Sequence, residues 1–457
     1  MSGASAASNV PWTRRIWQSL SPSQLFVGSF LLLVALGTVG FKVLPGLYTG
    51  PEVSWLDALF TATSAICVTG LIVVDTATYF TTWGQAYILL LIQLGGLGII
   101  SFTSVVIVAL GRRLSLRHEG LAAGAAAVTS QIDYRDLLRA VFVFTFGVEA
   151  LGILALYACW GPQLGWTGAV WPSVFHSISA FCNAGFSTFS DSLMGFQTNA
   201  PLLLVVMGLI VGGGLGFLTL EELALWGRTR AKRSRFRLST HSQLVLGTTA
   251  ALLVVGWGAF TLFEWSNTLG NLGVGHRLVN GLFASVTPRT AGFNTIDYGA
   301  TNTETNMLTM IFMAIGGSPG STAGGLKTTT VALLGLVAFS RLRGLSTTNV
   351  AGRTIPESTV GRATGLFVLA MTELPGPLAP QPHDQFLDHL FEAVSAFNTV
   401  GLSMGVTGDL SAAGRWTTIV CMFVGRVGPL TVAAAMSRDR RAPPGGFRYA
   451  QEDVVVG

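Results

Sequence analysis

Four stretches of the chain share one eight-residue pattern: SAICVTGL at 64–71, SAFCNAGF at 179–186, VTPRTAGF at 286–293 and SAFNTVGL at 395–402. Each carries glycine at its seventh place, giving Gly70, Gly185, Gly292 and Gly401, which lie 115, 107 and 109 residues apart. Spacing this even means internal duplication. The same order of segments surrounds each glycine: a long apolar stretch, one of half that length, the motif, and a second long stretch. The long segments run near 24–46 and 82–111, then 136–160 and 199–227, then 240–264 and 302–340, then 357–377 and 409–437. The short ones run near 54–66, 171–182, 278–289 and 384–397. A helix needs about 20 residues to cross a bilayer, so each short helix must re-enter the side it came from. Non-helical backbone at membrane depth persists only inside protein or beside a water-filled cavity, and four such loops are best satisfied by meeting on one axis. Glycine-mediated helix packing is the plainer reading of any one of the 56 glycines, but it leaves the shared register unexplained.

Composition fits this arrangement. Only 11% of the 457 residues are charged, where a soluble globular chain carries roughly 25%. Runs such as FVGSFLLLVALGTVGFKVL (26–44) and AYILLLIQLGGLGIISFTSVVIVAL (86–110) approach or exceed a membrane span. The expected fold class is an all-α polytopic membrane protein: four M1–pore helix–M2 repeats, eight transmembrane helices and four re-entrant half-helices around one central pore. Residues 22–118, 119–237, 238–350 and 351–440 form the repeats, between tails at 1–21 and 441–457. The net charge of +5 does not point to nucleic acid, because basic residues cluster at the ends of apolar segments, as in RTRAKRSRFR at 228–237. Of 27 Lys and Arg, six (Lys42, Arg277, Arg289, Lys327, Arg415, Arg426) fall outside the cytoplasm or in the membrane, which leaves 21 cytoplasmic under simple alternation. That bias is the positive-inside rule and puts both termini in the cytoplasm. The N-terminus lacks a signal-peptide core, and the four cysteines lack the spacing of a zinc site or disulfide framework.

A cation leaving water must have its hydration shell replaced, and rings of backbone carbonyls do this. Glycine adopts positive φ without steric cost, so a loop through it can aim successive carbonyls at one axis. The expected ligands are the carbonyls of Val68, Thr69 and Gly70, of Asn183, Ala184 and Gly185, of Thr290, Ala291 and Gly292, and of Thr399, Val400 and Gly401. The residues one step earlier, Cys67, Cys182, Arg289 and Asn398, differ too much in side chain for a side-chain site. Each short helix points its partly negative C-terminal end at this place. An acid follows each glycine (Asp75, Asp191, Asp297, Asp409), and the four as a set would concentrate cations at the mouth.

This arrangement, from about residue 22 to 437, resembles the Trk/Ktr/HKT superfamily of K+ transporters, and its eight spans look like the KtrB-type membrane subunit. Glycine at all four filter positions, here including Gly70, implies K+ selectivity in that family. The resemblance further implies a homodimer on a cytosolic nucleotide-binding regulatory subunit of the KtrA type, in the cell's inner membrane. K+ is the transported ion, Na+ is a candidate activator, and no covalent cofactor is expected.

The second long segment of repeat 3 contains AIGGSPGSTAGGLKTTT. Gly316, Gly317, Ser318, Pro319, Gly320, Ser321, Thr322, Ala323, Gly324 and Gly325 cannot continue a helix through mid-membrane. The run misses the phosphate-binding pattern G-x-x-x-x-G-K-[ST] by one residue, since Leu326 separates Gly325 from Lys327. A flexible loop gating the pore beneath the filter is the better reading, and the resemblance implies the same. Arg426, ten or more residues from either end of its span, is functional by default at that depth. It is expected to face the pore below the filter, touch the Gly316–Gly325 loop and impede cations. The family carries a matching arginine; Lys327 is a further candidate there. Glu149 is expected to pair structurally with a neighbouring helix, and Arg289 to point away from the axis into a protein contact.

Two other functions compete. A cation-coupled symporter of another substrate would show inverted repeats with broken helices in both halves, against four parallel repeats and one broken segment here. An intramembrane enzyme would need a constellation of nucleophile, acid and base, and the intramembrane charges are isolated. The basic loops suit anionic membrane lipids and a soluble partner equally.

Overall fold

The computed structural model describes residues 22–119, 134–231, 238–343, 349–350, 353–354, 386–428 and 431. The tails and the first helix expected of repeat 4 (357–377) lie outside them. Repeat 1 is built from α1 (Pro22–Val43), α2 (Trp55–Ile66), the one-turn α3 (Thr76–Tyr79) and α4 (Thr82–Glu119). Repeat 2 holds α5 (Tyr134–Leu164), α6 (Trp166–Phe181), α7 (Ala200–Gly214) and α8 (Phe217–Ala231). Repeat 3 holds α9 (Thr240–Glu264), α10 (Val274–Val286), α11 (Thr303–Ala314) and α12 (Thr328–Leu342). A two-residue ladder pairs Asn349–Val350 with Arg353–Thr354, and repeat 4 contributes α13 (Phe386–Phe397) and α14 (Ala412–Val427).

Four described helices are each long and apolar enough to cross a membrane, and the bent pair α7–α8 adds a fifth span. Their lipid-compatible faces are open, with Leu31, Leu32, Leu36, Val143, Leu151 and Val254 exposed. The short helices are the inverse. From Phe60 to Ile66, α2 is buried throughout, and its 12 residues reach only about 18 Å. Three large apolar clusters each join a short helix to the long helices of its own repeat and to the next repeat: one holds Ile66, Ile88 and Phe175, a second Phe181, Leu209 and Phe283, and a third Ala284, Phe312 and Phe391. A fourth joins Phe60 and Cys67 of repeat 1 to Ile419 and Met422 of repeat 4. The four repeats therefore close into a ring.

Three elements depart from expectation. The segment expected as one helix over 199–227 breaks at Leu215–Gly216, and α7 and α8 meet at 109°. Gly216 sits at φ +83°, where a side chain would be strained. Helix α14 likewise ends at Val427 before Gly428 at φ +89°, and the rest of the segment expected to reach 437 lies, but for residue 431, outside the described residues. Helix α10 stops at Val286, two residues before the places where α2, α6 and α13 end relative to their glycines, because Pro288 has no N–H with which to extend it.

Candidate ion-conducting site

Each glycine motif leaves its helix the same way. Val68, Asn183, Thr290 and Thr399 adopt φ of +54°, +58°, +68° and +52°. Two residues on, Gly70, Gly185, Gly292 and Gly401 adopt +95°, +70°, +78° and +91°. Among the described residues one further non-glycine residue, Ser192, has positive φ, so this costly conformation is concentrated at the motifs. In three repeats it begins with a Schellman motif: Val68 N–H donates to Ala65 O (3.1 Å) and Thr69 N–H to Ser64 O (2.8 Å), with the same bonds at Asn183–Ala184 and Thr399–Val400. Repeat 3 instead donates from Ala291 N–H to Thr287 O (3.0 Å).

The motif serine then pins the glycine. Ser64 Oγ accepts from Gly70 N–H (3.1 Å) and donates to Leu71 O (2.7 Å). Ser179 Oγ donates to Phe186 O (2.8 Å), and Ser395 Oγ accepts from Gly401 N–H (3.1 Å). In repeat 3 the hydroxyl comes from Thr287, one position later, which donates to Phe293 O. These supports were missed from sequence, although serine is the first letter of three of the four stretches.

The glycines interlock in cyclic order. A Cβ on Gly70 would strike Ala184 O, one on Gly185 would meet Ala291 O at 3.0 Å, one on Gly292 would meet Val400 O at 2.6 Å, and one on Gly401 would strike Thr69 O. The middle residue of each motif thus offers its carbonyl beside the glycine of the preceding repeat, and the circuit closes from repeat 4 to repeat 1. A cavity of about 290 Å³ opens on the far side of this ring, lined by all four glycines together with Asp75 and Asp297. Asp191 and Asp409 do not line it, so two of the four expected acids stand at the mouth. Burial alone would raise the Asp75 carboxyl, but hydrogen bonds from Ser190, Thr78 and the Ala77 N–H outweigh it and hold the group below the usual carboxylate range.

Against the opposite face lies the Gly316–Gly325 segment between α11 and α12. A Cβ on Gly324 would meet Asn398 O at 2.7 Å, and Thr322 Oγ1 is 3.1 Å from the Asn183 amide. The loop was expected to be flexible, yet Ser318, Ser321, Thr322 and Ala323 are buried and its backbone is stitched into the break of repeat 2. Ser318 N–H donates to Gly214 O (2.9 Å), Thr322 N–H to Gly213 O (3.3 Å), and Phe217 N–H to Gly320 O (3.1 Å). Gly216 passes so close that a Cβ would meet Pro319 O at 2.5 Å. Gly316 and Gly317 close the loop's neck through Gly316 N–H to Leu326 O and Thr328 N–H to Gly317 O, both 3.0 Å. Lys327 Nζ donates to Ala323 O at 2.7 Å. Buried Arg426 donates through Nη1 to Thr322 O, while its Nε and Nη2 have no partner among the described residues. The structure thus brings Arg426, the loop and the base of the ring together.

A second fourfold pattern, also missed, underlies this: GGLG at 95–98, GGLG at 213–216, GGSPG at 316–320 and GRVG at 425–428. A Cβ on Gly95, Gly213 or Gly425 would drive into Ile66 O, Phe181 O or Phe397 O, the last carbonyl of the short helix in the same repeat. Arg426 stands where repeats 1 to 3 have Gly96, Gly214 and Gly317. Away from the axis, Gln93 Nε2 donates to both Glu149 carboxylate oxygens (3.0 and 3.1 Å), and Arg289 Nη2 donates to Thr249 Oγ1 of α9 (3.5 Å).

Comparison with known proteins agrees with this geometry. The family model TrkH, described as cation transport protein, matches residues 25–440. The chain is 37% identical to the Ktr system potassium uptake protein B of Bacillus subtilis over 96% of its length and 98% of the relative's. It is 35% identical to the potassium/sodium uptake protein NtpJ of Enterococcus hirae, over 97% and 99%. The crystal structure of the potassium transporter TrkH from Vibrio parahaemolyticus superposes with a TM-score of 0.72 over 92% of this chain and 86% of that one, at 20% identity. With a fourfold repeat, a closed ring of glycines and a match across nearly all its length, the chain belongs to the TrkH/Ktr family of cation transport proteins, as a KtrB-type membrane subunit and not an enzyme.

Proposed function

We propose that the protein takes up K+ across the cell membrane through a filter built from the carbonyls of Val68–Gly70, Asn183–Gly185, Thr290–Gly292 and Thr399–Gly401. The observation that carries this reading is the cyclic interlock of the four glycines with the Thr69, Ala184, Ala291 and Val400 carbonyls. A site made of backbone selects by the number and field of its oxygens, which suits a chain whose four motifs differ in side chain. The potassium uptake in the relatives' names supports the same ion. The Gly316–Gly325 loop, with Arg426 and Lys327, is the gate: two cationic side chains and a buried loop block the path from the ring's base. Na+ acts as an activator in this reading; the E. hirae relative's name carries sodium uptake beside potassium uptake, so Na+ reaches a protein of this kind. The chain works as an inner-membrane homodimer with cytoplasmic termini on a KtrA-type nucleotide-binding subunit; the word "system" in the B. subtilis relative's name supports only that more than one component is involved.

The test is cation flux in liposomes with K+, Rb+, Na+ and Li+, beside Gly70→Ser, whose Cβ must displace the Ala184 carbonyl. Faster K+ and Rb+ flux than Na+ flux, with discrimination lost in the variant, is the expected result. Equal flux of every cation, unchanged by the substitution, would sink the filter reading.

A further inference from the structure

Glu392 belongs to none of the functional parts described so far. It sits on α13, three residues before Ser395 and so on the same helix face, and only 4% of it is exposed. Where Ser395 reaches Gly401, Glu392 reaches the next segment outward. Its Oε1 accepts from the Ser403 hydroxyl and from Met404 N–H (3.1 Å), and its Oε2 accepts from Thr407 Oγ1 (2.7 Å). Three donors meeting two oxygens suit an acceptor-only group. Among the described residues no lysine, arginine or histidine pairs with it. Ser403 and Thr407 both line the cavity beyond the ring, beside Gly401. A buried carboxyl without a cationic partner is costly, and here two of its three bonds go to residues that line that cavity.

The other repeats hold the matching segment differently. His176, at the same place in α6, meets Ser187 Oγ through Nε2 (3.0 Å). Thr61, at the same place in α2, has no hydroxyl partner among the described residues, and repeat 1 is tied through Asp75 to Ser190 of repeat 2 (2.6 Å). In repeat 3 the backbone N–H of Asn294 donates to Ser192 Oγ of repeat 2 (3.2 Å). Repeats 1 and 3 thus lean on repeat 2, and no such tie reaches the segment 402–408 of repeat 4 among the described residues. Glu392 holds that segment from behind.

Resting on the filter reading above, we propose that Glu392 is a positioning residue for K+ selection: through Ser403, Met404 and Thr407 it fixes the outer wall of repeat 4, and with it the aim of the Gly401 carbonyl. Without the carboxyl oxygens all three donors lose their acceptor, which loosens one quarter of the ring.

The experiment is isothermal titration of the detergent-solubilised full chain with KCl and with NaCl. Glu392→Ala is expected to weaken K+ binding about tenfold or more while leaving Na+ binding near the wild-type value. Glu392→Gln, which keeps the shape and an acceptor oxygen, is expected to restore most of the K+ affinity. Wild-type K+ affinity in the alanine variant overturns the proposal, as does a glutamine variant as weak as alanine, which would make the effect one of charge. Should the alanine variant not fold, Thr407→Val and Ser403→Ala each remove one bond, and wild-type K+ affinity in both overturns it. A wild-type chain with no preference for K+ would instead overturn the filter reading itself.

Discussion

At the scale of single residues, the site is defined by carbonyl groups that leave no room for a Cβ. Gly95, Gly213 and Gly425 let a second helix rest on the last carbonyl of a short one. Alanine at any of the three is expected to cost about 3 kcal/mol or more, since the neighbour is backbone and cannot rotate away. Thermal unfolding in detergent measures this. Gly208, with open space where a Cβ would sit, is the control: Gly208→Ala should stay within about 0.5 kcal/mol. Gly216 adds a second penalty, because alanine there meets both Pro319 O and the strain of φ +83°. The left-handed conformation alone costs about 1–2 kcal/mol.

At the scale of elements, the half-length helices and their glycine motifs were legible because they recur; a single copy would have been lost among 56 glycines. The breaks in the second long segments were not legible, for a physical reason. Gly98 and Gly216 end the same GGLG pattern, yet α4 runs on through Gly98 while the chain turns at Gly216. The difference lies in a distant segment, the Gly316–Gly325 loop, which offers Gly320 O to Phe217 N–H and takes the place a continuous helix would fill. Local pattern cannot report a partner more than a hundred residues away. The serine supports were visible as letters, but their role depends on a Schellman turn that folds the chain back onto the helix end. For the loop and its arginine, Arg426→Gln removes the positive charge held against Thr322 O. K+ flux is expected to rise about tenfold, a barrier lower by about 1.4 kcal/mol; unchanged flux in liposomes would remove Arg426 from the gate.

At the scale of the whole molecule, ring closure depends on contacts between the first and last repeats. Arg415 of α14 pairs with Asp57 of α2 and also donates to Leu410 O (3.0 Å) and Gly408 O (3.0 Å). Arg415→Ala strands these acceptors and should lower stability by about 1–3 kcal/mol, read as a drop in the unfolding midpoint. The cavity above the ring adds a prediction in salt and pH. Asp75→Asn is expected to slow K+ entry at low ionic strength and to have little effect at high salt, where exposed charges are screened. The Asp75 carboxyl is depressed in the fold, so its stabilising contribution is full above the ordinary carboxylate value and is lost as pH falls through the lowered one. Acid titration followed by unfolding should therefore show no Asp75-dependent change at neutral pH. One consequence follows from the place of Arg426 in a register that is glycine in the other three repeats. An assembly of four identical subunits can change such a position only fourfold at once, and four guanidinium groups around one narrow passage would shut it to cations altogether. Four unequal copies on a single polypeptide let an obstacle be set in steps of one elementary charge, so its height can be adjusted by single substitutions without disturbing the symmetry of the oxygens above it.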